Sequence, residues 1–402
     1  MNAVQDNSVE QFDAIVIGGG PAGAIAAQDL AKAGRKVMLL DKAGRIKPCG
    51  GAIPPRLIRD FDIPNEVICA KIRSARMVAP SHKAVDMPIE NGFVGMVDRD
   101  VFDEFLRERA QAAGAQRRTG MFETFSRDED GLCAIEYFDK AAKRIVRVRA
   151  RFIVGADGAN SAVAAQALPP AGRAPFVFAY HEIVKAPETR PDSQTDPTRC
   201  DVYYQGAISP DFYGWVFPHG DKMSIGVGSA KKGFSLRKAV AQLRNQANLS
   251  ECETIRCEGA PLPLYPAKRW ENGRDVVLAG DAAGVVAPAS GEGIYYAMAT
   301  GRLAAEAVDE ALRTGDCRAL ATARKRFMKE HGRIFFVLWV MQTFWYKSDW
   351  RRERFVSLCR DPDVQRLTWE SYMNKALVKR DPMAHIRVFF KDLGHIFGLA
   401  RT

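Results

Sequence analysis

No run of this sequence is apolar for long enough to cross a bilayer. The most apolar stretch, residues 334–344, is interrupted by Gln342 and falls well short of the ~20 residues that a spanning helix needs. A polytopic membrane protein is thereby excluded. Histidine is scarce, with six in 402 residues. The eight cysteines stand apart at Cys49, Cys69, Cys133, Cys200, Cys252, Cys257, Cys317 and Cys359, without a CxxC pair or a partnering histidine cluster. Reduced thiols and no metal site are therefore expected. Residues 1–11 lack the basic start and apolar run of a signal peptide, from which a cytoplasmic location is expected. Internal repeats and low-complexity tracts are missing too. A composition of 47% hydrophobic and 26% charged residues excludes disorder, collagen-like repeats and a disulfide-stapled miniature fold.

What is present points to a folded chain too long for one core, which should divide into two or three domains. The net charge is +10, and residues 331–402 alone contribute +6 together with 13 of the 38 aromatic residues. Basic and aromatic side chains mixed on helical segments suit a membrane surface better than a nucleic-acid groove, and no DNA-reading motif accompanies them. No nucleic-acid partner is expected.

The clearest local signal lies near the start. Residues 12–17 form a short apolar run, GGGPAG follows with Gly18, Gly20 and Gly23, and an alanine-rich helix is predicted over residues 22–33, beginning at Ala22. Gly34 ends that helix, and residues 36–40 read as a second buried strand closed by Asp41. In such a unit the glycines allow a tight turn, close approach of backbone to a pyrophosphate, and close packing of helix on strand. The helix N-terminus offers free N–H groups to phosphate, and Asp41 is placed for a ribose hydroxyl. A glycine-rich turn in some other α/β protein would leave Asp41 unexplained. An acid at that point also favours FAD or NAD over NADP.

Two later segments bear on that choice. FIVGADG ends at Asp157 and Gly158, and VVLAGD ends at Asp281; each reads as a buried strand ending in an acid beside glycine, which a simple NAD dehydrogenase would not need. With the first unit they resemble the three-part signature of FAD enzymes of the aromatic hydroxylase and geranylgeranyl reductase superfamily. The resemblance covers most of the chain. It implies an α/β fold: a Rossmann-like FAD-binding domain of the p-hydroxybenzoate-hydroxylase type, with an inserted antiparallel β substrate domain and a C-terminal helical region. Residues 10–75, 95–175 and 270–315 are assigned to the discontinuous FAD-binding domain, 76–94 and 176–269 to the substrate-binding β domain, and 316–402 to the helical region. Residues 190–198 read as an exposed loop. The resemblance also implies that Asp281 lies by the ribityl and pyrophosphate of FAD, that Arg99 lies near the pyrophosphate, and that the turn carrying Gly291, Gly293 and Ile294 approaches the flavin ring. The dipole of the helix opened by Ile294 would then support a reduced anionic flavin.

Two motifs separate reductase from hydroxylase. KPCGGA holds Cys49, Gly50 and Gly51 and resembles the glycine loop that geranylgeranyl reductases carry beside the flavin. For an isolated cysteine, a buried small hydrophobe is the ordinary reading; the glycine context assigns Cys49 a polarisable thiol at the ring. PDFYGWVFP, residues 210–218, matches the PxxYxWxFP signature of the same family. Spacing by two places Tyr213, Trp215 and Phe217 on one strand face. With Pro218 they are expected to form a rigid wall for a long isoprenoid, although such a stripe is more often plain core.

The resemblance implies reduction of carbon–carbon double bonds in a geranylgeranyl chain. An isolated alkene accepts hydride poorly, so a proton must reach the other carbon in a dry site. Cys49 is the expected catalytic residue, with Tyr213 and a bound water as competitors. NADPH is expected to reduce FAD transiently, with Lys231, Lys232 and Arg237 as candidates for its 2′-phosphate and ferredoxin as the other donor. The expected substrate is a geranylgeranyl-bearing pigment, giving the phytyl form in bacteriochlorophyll or chlorophyll synthesis, or else geranylgeranyl diphosphate or a geranylgeranylated lipid. Aromatics of residues 334–346 beside Lys347, Arg351 and Arg352 suit either a helix peripheral to the inner or photosynthetic membrane or an internal cap on the substrate tunnel. Two rivals remain: an FAD monooxygenase and a non-catalytic prenyl-binding carrier.

Overall fold

The strand Gln11–Ile17 lies inside the first sheet, paired on both edges, with helix Pro21–Lys32 packed on it and Ala14, Ile15 and Val16 wholly buried. The computed structural model describes residues 9–44, 46–169, 175–188 and 195–375. Residues 190–194 of the expected loop and 376–402 of the helical region lie outside the described residues. Val37–Asp41 and Arg144–Gly155 flank the central strand in parallel, with Gln116–Arg127 beyond the former and Val276–Leu278 beyond the latter. Cys133–Asp139 pairs antiparallel with both long strands, Gln116–Arg127 and Arg144–Gly155. The strand expected over residues 152–157 is therefore only the end of a longer one, whose first half is a charged, solvent-facing hairpin arm.

Helix Pro21–Lys32 and helix Ile294–Thr314 pack together on this sheet. Their contact is intimate: a Cβ on Gly301 would lie 2.2 Å from the Ala22 carbonyl oxygen. Small residues at Ala297, Gly301, Ala304 and Ala305 permit it.

The second sheet has seven strands, in the order Thr254–Pro263, Phe176–Lys185, Lys222–Ser229, Gly214–His219, Arg199–Tyr203, Ser74–Val78 and Ala84–Pro88. It is mixed rather than antiparallel throughout: Arg199–Tyr203 runs parallel to Ser74–Val78. Those two strands come from widely separated parts of the chain, so no hairpin dictates their direction. Within the sheet Trp215 lies opposite Gly226, where a Cβ would lie 2.1 Å from the indole. Glycine at 226 makes room for the ring.

Helix Thr322–Trp345 closes one side of the molecule. Its aromatics divide between its faces. Phe335, Trp345 and Tyr346 are buried, while Phe336 is 61% exposed and Trp339 39% exposed. No described helix is long and apolar enough to cross a membrane.

Candidate active site

A cavity of about 390 Å3 runs between the two sheets. At one end it is built by the glycine turn. Gly18 adopts a φ of +109°, and a side chain there would collide with the Ala156 carbonyl at 2.2 Å. Gly23 packs its α-carbon against Gly18, whose carbonyl oxygen would be 1.8 Å from an added Cβ; this is the close helix–strand contact expected of the third glycine. Gly20 faces open space, and helix Pro21–Lys32 begins there without a side-chain cap. Its first N–H groups are thus free for an anion. Asp41 accepts from the Gly19 N–H at 3.0 Å and the Ala43 N–H at 2.8 Å, which fixes its carboxylate beside the turn.

Gly18, Gly20, Ala22, Asp41, Asp281, Gly291, Gly293, Ile294, Arg99, Cys49, Gly50, Tyr213, Trp215 and Phe217 all line this cavity. Six of the residues singled out in the sequence as cofactor or substrate contacts do not: Gly23 supports the turn, Pro218 is buried behind the aromatic row, Gly51 packs under the Cys49 loop, and Lys231, Lys232 and Arg237 lie away from it, the first two exposed and the third in helix Leu236–Gln246. VVLAGD forms a three-residue strand and then a 3₁₀ turn, Gly280–Ala283, so Asp281 sits in the turn and not at a strand end. Lys47 pairs with its carboxylate. Asp157 caps the helix Ala162–Ala167, accepting from Ser161 Oγ and from the Ala162 and Val163 N–H groups, and burial raises its pKa despite those bonds.

At the other end the KPCGGA loop meets the aromatic row. A Cβ on Gly50 would stand 2.9 Å from the Phe217 ring. Tyr213 precedes the strand Gly214–His219, and its ring lies 6.1 Å from Trp215, which lies 6.5 Å from Phe217. The Tyr213 hydroxyl donates to the Ser290 carbonyl at 2.6 Å, and burial pushes its phenol well above the ordinary range. Cys49 Sγ accepts from the Gly51 N–H at 3.3 Å.

Arg99 is buried and forks onto Asp103 at 2.8 and 2.7 Å, with Cys49 beside it. It therefore belongs to the thiol end of the cavity. Arg107, two turns along the same helix, donates to the Gly19 carbonyl at 3.0 Å and stands at the glycine turn. The spacing of Arg99, Asp103 and Arg107 by four places them on one helix face, a signal the sequence carried unread. The N-terminus of helix Ile294–Thr314 is partly occupied, since Glu292 Oε1 accepts the Tyr295 N–H at 3.0 Å. Cys69, Asp98 and His219 converge within 4.8 Å, although nothing in their spacing announces it. Lys222 and His219 already engage the Asp98 carboxylate, so the group reads as a hydrogen-bonded cluster.

The nucleotide turn, the two sheets and the cavity between them define a flavin oxidoreductase with the fold of the aromatic hydroxylases. Residues 68–329 match the FAD binding domain family, and residues 16–60 match the NAD(P)-binding Rossmann-like domain. The chain is 58% identical to geranylgeranyl diphosphate reductase of Rhodobacter capsulatus, over 97% of this chain and 98% of that one. It is 31% identical to digeranylgeranylglycerophospholipid reductase of Methanosarcina acetivorans, over 76% and 77% of the two chains. A solved geranylgeranyl bacteriochlorophyll reductase-like protein from Thermoplasma acidophilum shares the fold, with a TM-score of 0.80 and 23% identity over 97% of this chain and 98% of that one. The chain belongs to the geranylgeranyl reductase family, and is an FAD enzyme served by a nicotinamide reductant.

Proposed function

We propose that this protein saturates three isolated double bonds of a geranylgeranyl group, converting a geranylgeranyl bacteriochlorophyll or chlorophyll to its phytyl form, with NADPH as reductant. The observation that carries the reading is the meeting of Cys49 and Gly50 with the Trp215 and Phe217 rings in the cavity that begins at the nucleotide turn. The free N–H groups of helix Pro21–Lys32 would face the FAD pyrophosphate, Asp41 the adenosine ribose, and Gly291, Gly293 and Ile294 the ring system. Bound and reduced, FAD supplies the hydride.

The protein's own task is the proton. The Cys49 thiol donates it to the second alkene carbon, leaving a thiolate that solvent reprotonates before the next round. Tyr213 is the poorer candidate, because its proton is committed to the Ser290 carbonyl and burial makes it a weaker acid. Tyr213, Trp215 and Phe217 hold the flat isoprenoid and keep water away.

The head group is the open choice among family members, whose names include a free diphosphate and a phospholipid. The pigment reading is supported by helix Thr322–Trp345, whose exposed Phe336, Val337, Trp339 and Val340 form an apolar face suited to a membrane interface where an ester-linked pigment would reside. The test is anaerobic: reduce the protein with NADPH, add the geranylgeranyl pigment or geranylgeranyl diphosphate, and follow flavin reoxidation with mass analysis. Gains of two, four and six hydrogens on the pigment are expected. Reoxidation by the diphosphate alone would move the substrate assignment, and reoxidation only by oxygen would favour a monooxygenase.

A further inference from the structure

His219 directly follows the aromatic signature, is 2% exposed, and takes no part in the chemistry set out above. Its Nδ1 lies 2.8 Å from Asp98 Oδ1 and its Nε2 lies 3.1 Å from the Gly50 carbonyl oxygen. A peptide carbonyl can only accept, and so can an ionised carboxylate. Both bonds form together when the ring donates from both nitrogens, as an imidazolium does. Asp98 is held in place from its other side by Lys222 Nζ, 3.0 Å from Oδ2.

The Gly50 carbonyl and the Gly51 N–H belong to one peptide unit. That N–H donates to Cys49 Sγ at 3.3 Å, and the imidazolium polarises the unit from its carbonyl side, which strengthens the N–H as a donor. Gly51 holds a φ of +73°, and an added Cβ would meet the His219 ring at 2.5 Å, so glycine is what lets the loop sit on the imidazole.

We propose that His219, oriented by Asp98, is a positioning residue that acts through the Gly50–Gly51 peptide to stabilise the thiolate of Cys49. This deepens the reading of Cys49 as proton donor and rests on it for its catalytic meaning. The charged and titratable neighbours are consistent with that role. Arg99 faces Cys49 directly, its charge shared with Asp103. Tyr213 and Tyr372 also feel the thiol, and both are held neutral by burial. Beside the imidazole, the Cys69 Sγ is 3.7 Å from Nδ1, and burial with Asp98 pushes that thiol up to about 12, so it stays neutral.

The test uses the flavin-loaded protein and measures iodoacetamide alkylation at the Cys49 peptide by mass, across a pH series. H219Q keeps a donor toward Gly50 but removes the charge. It is expected to slow Cys49 alkylation about tenfold near neutral pH and to move the midpoint of the profile upward, because the thiolate is the reactive form. K222Q, at a partly exposed site, is expected to shift the profile in the same direction by less and serves if H219Q loses its flavin. A wild-type profile in a flavin-loaded H219Q, or in K222Q where H219Q cannot be loaded, overturns the relay. The role of Cys49 in turnover is decided separately by C49A, so failure of one does not imply failure of the other.

Discussion

Lys375 buries its ammonium against the carboxylate of Glu292, in the turn that leads into helix Ile294–Thr314. Both side chains are 3% exposed. The end of the described chain is thereby tied to the loop beside the flavin region. Removing one member of a buried pair leaves the other charge uncompensated, at a cost of about 3 kcal/mol or more. K375M should therefore lower the thermal midpoint and the fraction of protein that retains FAD, both read in one fluorescence melt.

Asp98 gives a pH dependence with a definite sign. Burial opposes its ionisation, but His219 and Lys222 outweigh that and bring its carboxyl down to about 2. An unfolded aspartate titrates at ~3.9, so the folded state favours the ionised form. The stability this gives is full above about pH 5 and is lost as pH falls toward about 2. Urea midpoints measured between pH 7 and pH 3 should drop less steeply in D98N than in the wild type. An unchanged slope would contradict the pairing.

Gly23 is held within reach of the Gly18 carbonyl, with no space for a methyl group. G23A should push the helix away from the turn and lose FAD while the second sheet still folds. Absorbance of the purified protein near 450 nm, compared with far-ultraviolet circular dichroism, separates those two effects.

Cys49 is the residue on which turnover should hinge. C49A is expected to keep its flavin and its reduction by NADPH, and to lose at least about a hundredfold in alkene reduction, the scale of a general acid's contribution. Unchanged turnover would remove Cys49 from the mechanism.

The outer face of helix Thr322–Trp345 carries its own test. The double variant F336E/W339E should leave the flavin spectrum intact, because both side chains point away from the core. It should abolish flotation with anionic liposomes at low salt. Equal flotation of variant and wild type would rule out that face as the contact.

The nucleotide end of the site was legible because its constraints are local. Gly18, Gly20, Gly23 and Asp41 act within one strand–helix–strand unit, so spacing and residue type are enough to read it. The aromatic row was legible for the same reason, since alternation along one strand sets Tyr213, Trp215 and Phe217 in line. Arg99 shows the limit of such reading. Its position at a helix start was clear, but its pairing with Asp103 draws it toward Cys49 and leaves Arg107 at the glycine turn. The contacts of His219 with Asp98 and Gly50, and of Lys375 with Glu292, join segments far apart in sequence. No periodicity records them. The parallel pairing of Ser74–Val78 with Arg199–Tyr203 was hidden likewise, because it depends on how two separate insertions meet.

The order in which these parts leave the ribosome adds a consequence. The turn at Gly18 and Gly20 is made first, yet Gly280, which packs on Ala22, and Gly301, which touches the Ala22 carbonyl, are encoded far downstream. At ~10 residues per second the wait is roughly half a minute. Throughout that interval the nascent first unit can pack against helix Arg99–Ala112 but lacks helix Ile294–Thr314, its larger partner. The cavity itself is closed by Gly280, Asp281, Gly291 and Ile294, so cofactor capture should be a late event that waits for the second half of the chain.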